Sequence, residues 1–171
     1  MSANNELLPS KISNTPWLYE ESNHPRLYEE SKFLDYFSDD TGKWMLFYDK
    51  KTLDDAWSLA KTLYREDKLK GVVSMKCSTN YKNSRASTQN DGVIILYCNN
   101  SSDEDTIMDI GKNILNTFKY TEKQTIFYKT ASQTSEGTRA TGCKTNSTYK
   151  LFNHLHNNSC NLDFLNNLEF N

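Results

Sequence analysis

Six cations, Lys76, Lys82, Arg85, Lys129, Arg139 and Lys144, lie at the ends of apolar runs or in the polar stretches beside them. Gathered in one place they would hold an anion, most simply a phosphate, because ammonium and guanidinium groups give its oxygens charge-assisted hydrogen bonds. The densest such stretch is Thr125–Phe152, TIFYKTASQTSEGTRATGCKTNSTYKLF. It starts as a β-branched and aromatic strand, runs through Thr-, Ser- and Gly-rich sequence and returns to a short strand at Thr148–Phe152. Lys129, Arg139, Lys144 and Lys150 face a single acid there, Glu136, while Gly137 and Gly142 let the backbone come close to a ligand. Singly, each cation reads as an ordinary surface charge; only convergence would make a site. Tyr97 and Trp17 are candidate stacking faces, with plain packing and docking of a segment as their alternatives.

Other chemistries find little support. All three histidines, His24, His154 and His156, fall in the flanks, and no GxSxG, Walker sequence or carboxylate pair stands out. His154, His156 and Cys160 lack a clear fourth ligand, so neither a metal nor a cofactor is expected. The cysteines at 77, 98, 143 and 160 are too far apart for a zinc ribbon and read as reduced, mostly packed thiols. Catalytic residues are unknown, and whether the chain is an enzyme is left open by its sequence. The enzymatic alternative is a lysine-dependent phosphate lyase, with Lys76 or Lys129 as base and arginines holding the anion.

The elements that must position these residues follow from pattern and charge. At 171 residues and net charge −2, the chain is long enough for one proper core. Residues 1–42 hold 3 basic and 8 acidic side chains, residues 43–152 hold 17 and 12, and residues 153–171 hold none and 2. A basic middle between acidic flanks suits a compact phosphorylated ligand better than duplex DNA, which rewards many phosphate contacts at once. No signal peptide or membrane-spanning run is visible, so a cytoplasmic or nuclear protein is expected.

Three regions are expected: an extended acidic N-terminal arm at 1–41, a single α+β domain at 42–152 and an Asn-rich tail at 153–171. The arm holds all three prolines and a local repeat, LYEES at Leu18–Ser22 and Leu27–Ser31, with one helical turn predicted near Ser31–Phe37. Within the domain, strands are predicted at Trp44–Tyr48, Val72–Lys76, Val93–Cys98, Ile126–Lys129 and Thr148–Phe152. One helix, capped by Thr52, carries the stripe Leu53, Ala56, Trp57, Ala60, Leu63 and Tyr64; a second, started by Ser102, carries Ile107, Ile110, Ile114, Leu115 and Phe118. Two helices cannot cover both faces of five strands. The expected architecture is therefore a curved, mainly antiparallel sheet with helices packed on its convex face and the other face open, rimmed by the loops Cys77–Asp91 and Ala131–Ser147.

The runs GKWMLF, DDAW, GVVSMK, VIILYCNNSSDEDTIMDIGKNIL and IFYKTASQTSEGTRATGCKTNSTYKLF resemble the messenger-RNA cap-binding translation initiation factor over about residues 42–152. They look closer still to a small uncharacterised family of that fold, the basophilic-leukaemia-expressed proteins, through GKWMLF, YKT at Tyr128–Thr130 and TR at Thr138–Arg139. The resemblance implies that Lys76 stands where cap binders aim an arginine at the cap phosphates. It puts Tyr97 at a tryptophan position near the methylated base, and Ser132–Ser147 at the flexible final loop. Trp44 and Trp57 match structural tryptophans, while the two tryptophans and the glutamate that grip the cap precede Trp44 in that family. Only Trp17 remains here as a stacking face. The expected function is a non-enzymatic binding module for a phosphorylated small ligand, nucleotide or RNA end on the open face. The further alternative is a protein-interaction domain whose helical back takes a partner.

Overall fold

Strict alternation along the second strand decides which side of the sheet becomes the core. The computed structural model describes residues 7–21, 40–82, 90–135 and 147–156. Strands β1 (Trp17–Glu21), β2 (Thr41–Asp49), β3 (Val72–Ser78), β4 (Asp91–Asn99), β5 (Thr125–Thr130) and β6 (Tyr149–Phe152) form one curved sheet in the order β1-β3-β4-β2-β5-β6. Every pairing is antiparallel. Successive side chains point to opposite faces, so Trp44, Leu46 and Tyr48 share one face of β2 with Leu96 and Ile94 across β4 and with Tyr128 across β5. All of these are buried.

Two long helices cover that face. Helix α1 (Leu53–Arg65) inserts Trp57, Ala60 and Leu63, and α2 (Glu104–Phe118) inserts Ile107, Ile114 and Leu115. Gly111 of α2 lies against Trp44, where an added Cβ would come within 2.7 Å of the indole. The helix therefore approaches the sheet as closely as a glycine allows. Trp44 Nε1 donates to the Ile107 carbonyl at 3.2 Å, which fixes the indole's orientation within this contact. A third, five-residue helix, α3 (Ala131–Ser135), follows β5 directly.

Both helix starts differ in detail from expectation. Thr52 makes no side-chain cap; its Oγ1 donates instead to the Asp49 carbonyl. Asp103, not Ser102, caps α2, accepting from the Thr106 backbone N–H and hydroxyl, bonds that hold its carboxyl below the usual range. Ser102 turns to Asp40. The turn before β3 needs Gly71, at φ 82°, because a left-handed backbone disfavours any side chain.

The larger difference is β1. Five strands are legible in the sequence, and the sixth comes from the acidic arm: Trp17–Glu21 pairs with β3 at the sheet edge, where a preceding proline removes no ladder bond. Leu18 packs on the core, and Glu20 takes Arg65 of α1 in a forked pair at 2.6 and 3.1 Å. Pro16 itself accepts from the Thr79 N–H. The helical turn expected near Ser31–Phe37 lies outside the described residues.

Candidate functional site

The face turned away from the helices carries the alternate residues of each strand. From the pairing register these are Trp17 and Tyr19 on β1, Ser74, Lys76 and Ser78 on β3, Ile95 and Tyr97 on β4, Lys43 and Met45 on β2, Phe127 and Lys129 on β5, and Lys150 on β6. Tyr19 sits directly across from Lys76, Ser74 across from Tyr97, and Lys43 between Tyr97 and Lys129. One end of this face is thus built from lysines and aromatic rings.

Lys76 is its centre. Its Nζ lies 4.2 Å from the centroid of the Trp17 ring and 5.7 Å from that of Tyr97, so one ammonium rests on two aromatic faces. Burial, and then the neighbouring Lys43 charge, push the Lys76 ammonium down to about 8. Burial, and then Lys129, do the same to Lys43, again to about 8. The influences run Lys129 to Lys43 to Lys76, which places three cations in mutual electrostatic reach across four adjacent strands. At neutral pH Lys43 and Lys76 remain largely charged.

Two carboxylates of the same face stand at its far end, while Glu21 of β1, across from Ser74, belongs to the near end. Asp49 and Asp91 oppose each other across β2 and β4, and Asp91 is six residues, or about 20 Å, along the strand from Tyr97. Asp91 pairs with Lys123 at 3.6 Å, and Asp49 accepts from the Lys51 N–H. Lysines outnumber carboxylates at the Tyr97 end of this face, and Asp49 and Asp91 mark the other end. The chemistry of such a surface suits an anion with an apolar or aromatic part, since Ile95, Met45 and Phe127 floor the ground between the lysines.

A six-stranded antiparallel sheet with two long helices on one face and a lysine-bearing open face can be set beside known structures. No family model matches the sequence, and no curated protein matches it. Solved structures do match. Schistosome eIF4E, complexed with m7GpppA and 4E-BP, has a TM-score of 0.60 at 16% identity, covering 86% of this chain and 76% of that one. C. elegans eIF4E-3, with the 4E-binding protein Mextli and a cap analog, gives 0.57 at 12% identity, over 86% and 76%. Ascaris suum eIF4E-3 with m7G cap gives 0.51 at 13% identity, over 79% and 67%. The fold is eIF4E-like.

Within this eIF4E-like sheet, three of the eight residues singled out by sequence, Lys76, Tyr97 and Trp17, meet directly, and Lys129 joins them through Lys43. Lys82 is exposed beyond the end of β3. Arg85, Arg139 and Lys144 lie outside the described residues. Tyr97 is buried, only 4% exposed, so it forms part of the floor and offers little free surface. Lys43 was missed by the sequence reading. The signal was available in GKW: a lysine preceding a core tryptophan in a strand must face away from the core. The final loop begins with α3, and Gln133 ties its ends together, accepting from the Thr130 N–H and the Thr148 hydroxyl. His156 Nδ1 contacts the Thr121 carbonyl at 2.6 Å, and among the described residues no His, Cys, Asp and Glu group could hold a metal.

The buried lysines make stability pH-dependent in a direction that can be worked out. Lys43 and Lys76 sit near 8 when folded against an ordinary 10.5. Between those values the unfolded chain binds more protons, so stability rises with pH. Opposing this, burial raises the Cys77 and Cys98 thiols above their ordinary 9.0 and the Tyr48, Tyr120 and Tyr128 hydroxyls above 10.0. Those groups ionise first in the unfolded chain and draw stability down above pH 9. Urea unfolding should show a gain of roughly 1 kcal/mol from pH 8 to 9, after discounting for solvent screening, then a decline. The double change Lys43→Met, Lys76→Met should remove the gain.

Proposed function

We propose that this chain is a non-enzymatic binding module that takes a phosphorylated small ligand, a nucleotide or an RNA end on the open face of its eIF4E-like sheet. The reading is carried by one observation, the Lys76 ammonium resting on Trp17 and Tyr97 at the head of the Lys43–Lys129 row. Phosphate oxygens would take the lysines, and the base would take Trp17 or Tyr19 at the sheet edge, where both rings retain exposed surface. Lys82, Arg85, Arg139 and Lys144 are proposed as further phosphate contacts from the two rim loops. Membership of the basophilic-leukaemia-expressed family, a protein partner on the helical back and a cytoplasmic or nuclear location belong to the same proposal. Structural neighbours crystallised with m7GpppA, m7G cap, 4E-BP and Mextli support it by analogy of fold.

Isothermal titration of the full chain with guanosine and adenosine triphosphates, tripolyphosphate and a short 5′-triphosphorylated RNA tests the reading. At least one should bind with micromolar affinity that weakens as salt rises, as expected where cations meet phosphate. Absence of binding by all four would overturn it. The lowered lysines give a specific reason to keep the lyase alternative, since an amine near 8 is close to the range of a working base. Release of inorganic phosphate from a phosphopeptide mixture, lost in Lys76→Ala, would select that alternative.

A further inference from the structure

Resting on the nucleotide-binding reading, we propose that this site selects an uncharged base bearing phosphates and discriminates against a cationic, N7-methylated base, because the protein's own Lys76 ammonium already occupies the aromatic platform. A ring face attracts a cation through its quadrupole, and one bound cation satisfies much of that attraction. Lys76 Nζ stands 4.2 Å from the Trp17 centroid and 5.7 Å from that of Tyr97, so both rings are engaged by the same charge.

A base stacked on the other side of Trp17 would lie within about 8 Å of that ammonium, near enough for like charges to repel measurably at a protein surface. Lys43 adds to the same field, since its charge reaches Lys76. Of the carboxylates, Glu20 projects to the helix side and is bound to Arg65, while Asp49 and Asp91 stand at the far end of the strands. Glu21 lies four residues, or about 13 Å, along β1 from Trp17, well beyond the distance to the Lys76 ammonium. A neutral guanine or adenine stacks without this penalty, and its phosphates gain from the very cations that repel a methylated base.

The test is a titration of the full chain with guanosine triphosphate and with 7-methylguanosine triphosphate, repeated on Lys76→Met and Lys76→Arg. The unmethylated nucleotide should bind about tenfold more tightly than the methylated one. Lys76→Met, which keeps the aliphatic stem, should weaken the unmethylated nucleotide and shift the ratio toward the methylated one by about tenfold, while Lys76→Arg should preserve the preference. Tighter binding of the methylated nucleotide by the unaltered protein would overturn this selectivity and leave the nucleotide-binding reading standing. So would a preference that Lys76→Met does not move. Binding of neither nucleotide at any concentration tested would overturn the selectivity together with the reading beneath it.

Discussion

Trp44→Ala is expected to cost about 3–5 kcal/mol, enough to leave the chain largely unfolded if its stability is ordinary for its size. The indole is fully buried in the centre of the sheet, packed edge-on against Tyr128 at 5.3 Å and close against Gly111 of α2. Truncation removes that volume at a place where collapse is difficult. The sheet is held by β4 on one side and β5 on the other, and the helix already lies as near as a glycine permits. The Ile107 carbonyl also loses its indole donor. Trp44→Phe should cost clearly less, because it keeps an aromatic wall against Tyr128 and loses mainly the hydrogen bond and part of the volume. Chemical denaturation of both variants checks the pair. A loss below about 1.5 kcal/mol for the alanine variant would mean that the core relaxes far more than such packing permits.

How much of this was legible in the sequence depended on whether a signal was local. The core face was legible because alternation in WMLFY and the helical spacing of Trp57, Ala60, Ile107 and Ile114 report burial directly. Strand β1 was not. Its five residues carry two glutamates and follow a proline, and what makes them a strand is a partner some 55 residues away, with Arg65 waiting for Glu20 on the helix face. Propensity holds no record of a distant edge. Lys76 was found as a cation at a strand end and Tyr97 through the resemblance to cap-binding factors, whereas Lys43 was passed over because it sits beside the residue that dominates its strand, Trp44. The lowered state of the lysines was beyond reach of any sequence argument, since burial on an open face depends on which rings and strands assemble around each amine. Trp17 shows the same limit from the other side. Beside Pro16 it reads as an anchor or a lid, and only the β1–β3 register turns its ring toward Lys76.

Lys76→Glu should abolish anion binding while leaving the fold intact, and that combination is what makes it decisive. Reversing the central charge takes away one attraction and adds one repulsion a few ångströms from the ligand, for a loss of at least 100-fold, about 2.7 kcal/mol. Charge reversal inside a fold is usually suspected of simple destabilisation, but here the environment argues otherwise. Burial and then Lys43 hold Lys76 down, and burial and then Lys129 hold Lys43 down, so a carboxylate at position 76 would keep the burial cost the lysine already bears but exchange a like-charge neighbour for an opposite one. The gain offsets the lost cation–π contact with Trp17, which is worth about 0.5–1 kcal/mol at a partly exposed site. Stability should therefore stay within about 1 kcal/mol of the unaltered protein. The alkaline gain from pH 8 to 9 should shrink as well, because Lys43 regains a counter-charge and titrates nearer its ordinary value. Calorimetric titration with guanosine triphosphate beside urea unfolding at both pH values reads all three effects. Full affinity in a well-folded Lys76→Glu protein would remove the lysine row from the binding site, and unfolding of that variant would show that the row is tied to the core in a way its open-face position does not suggest.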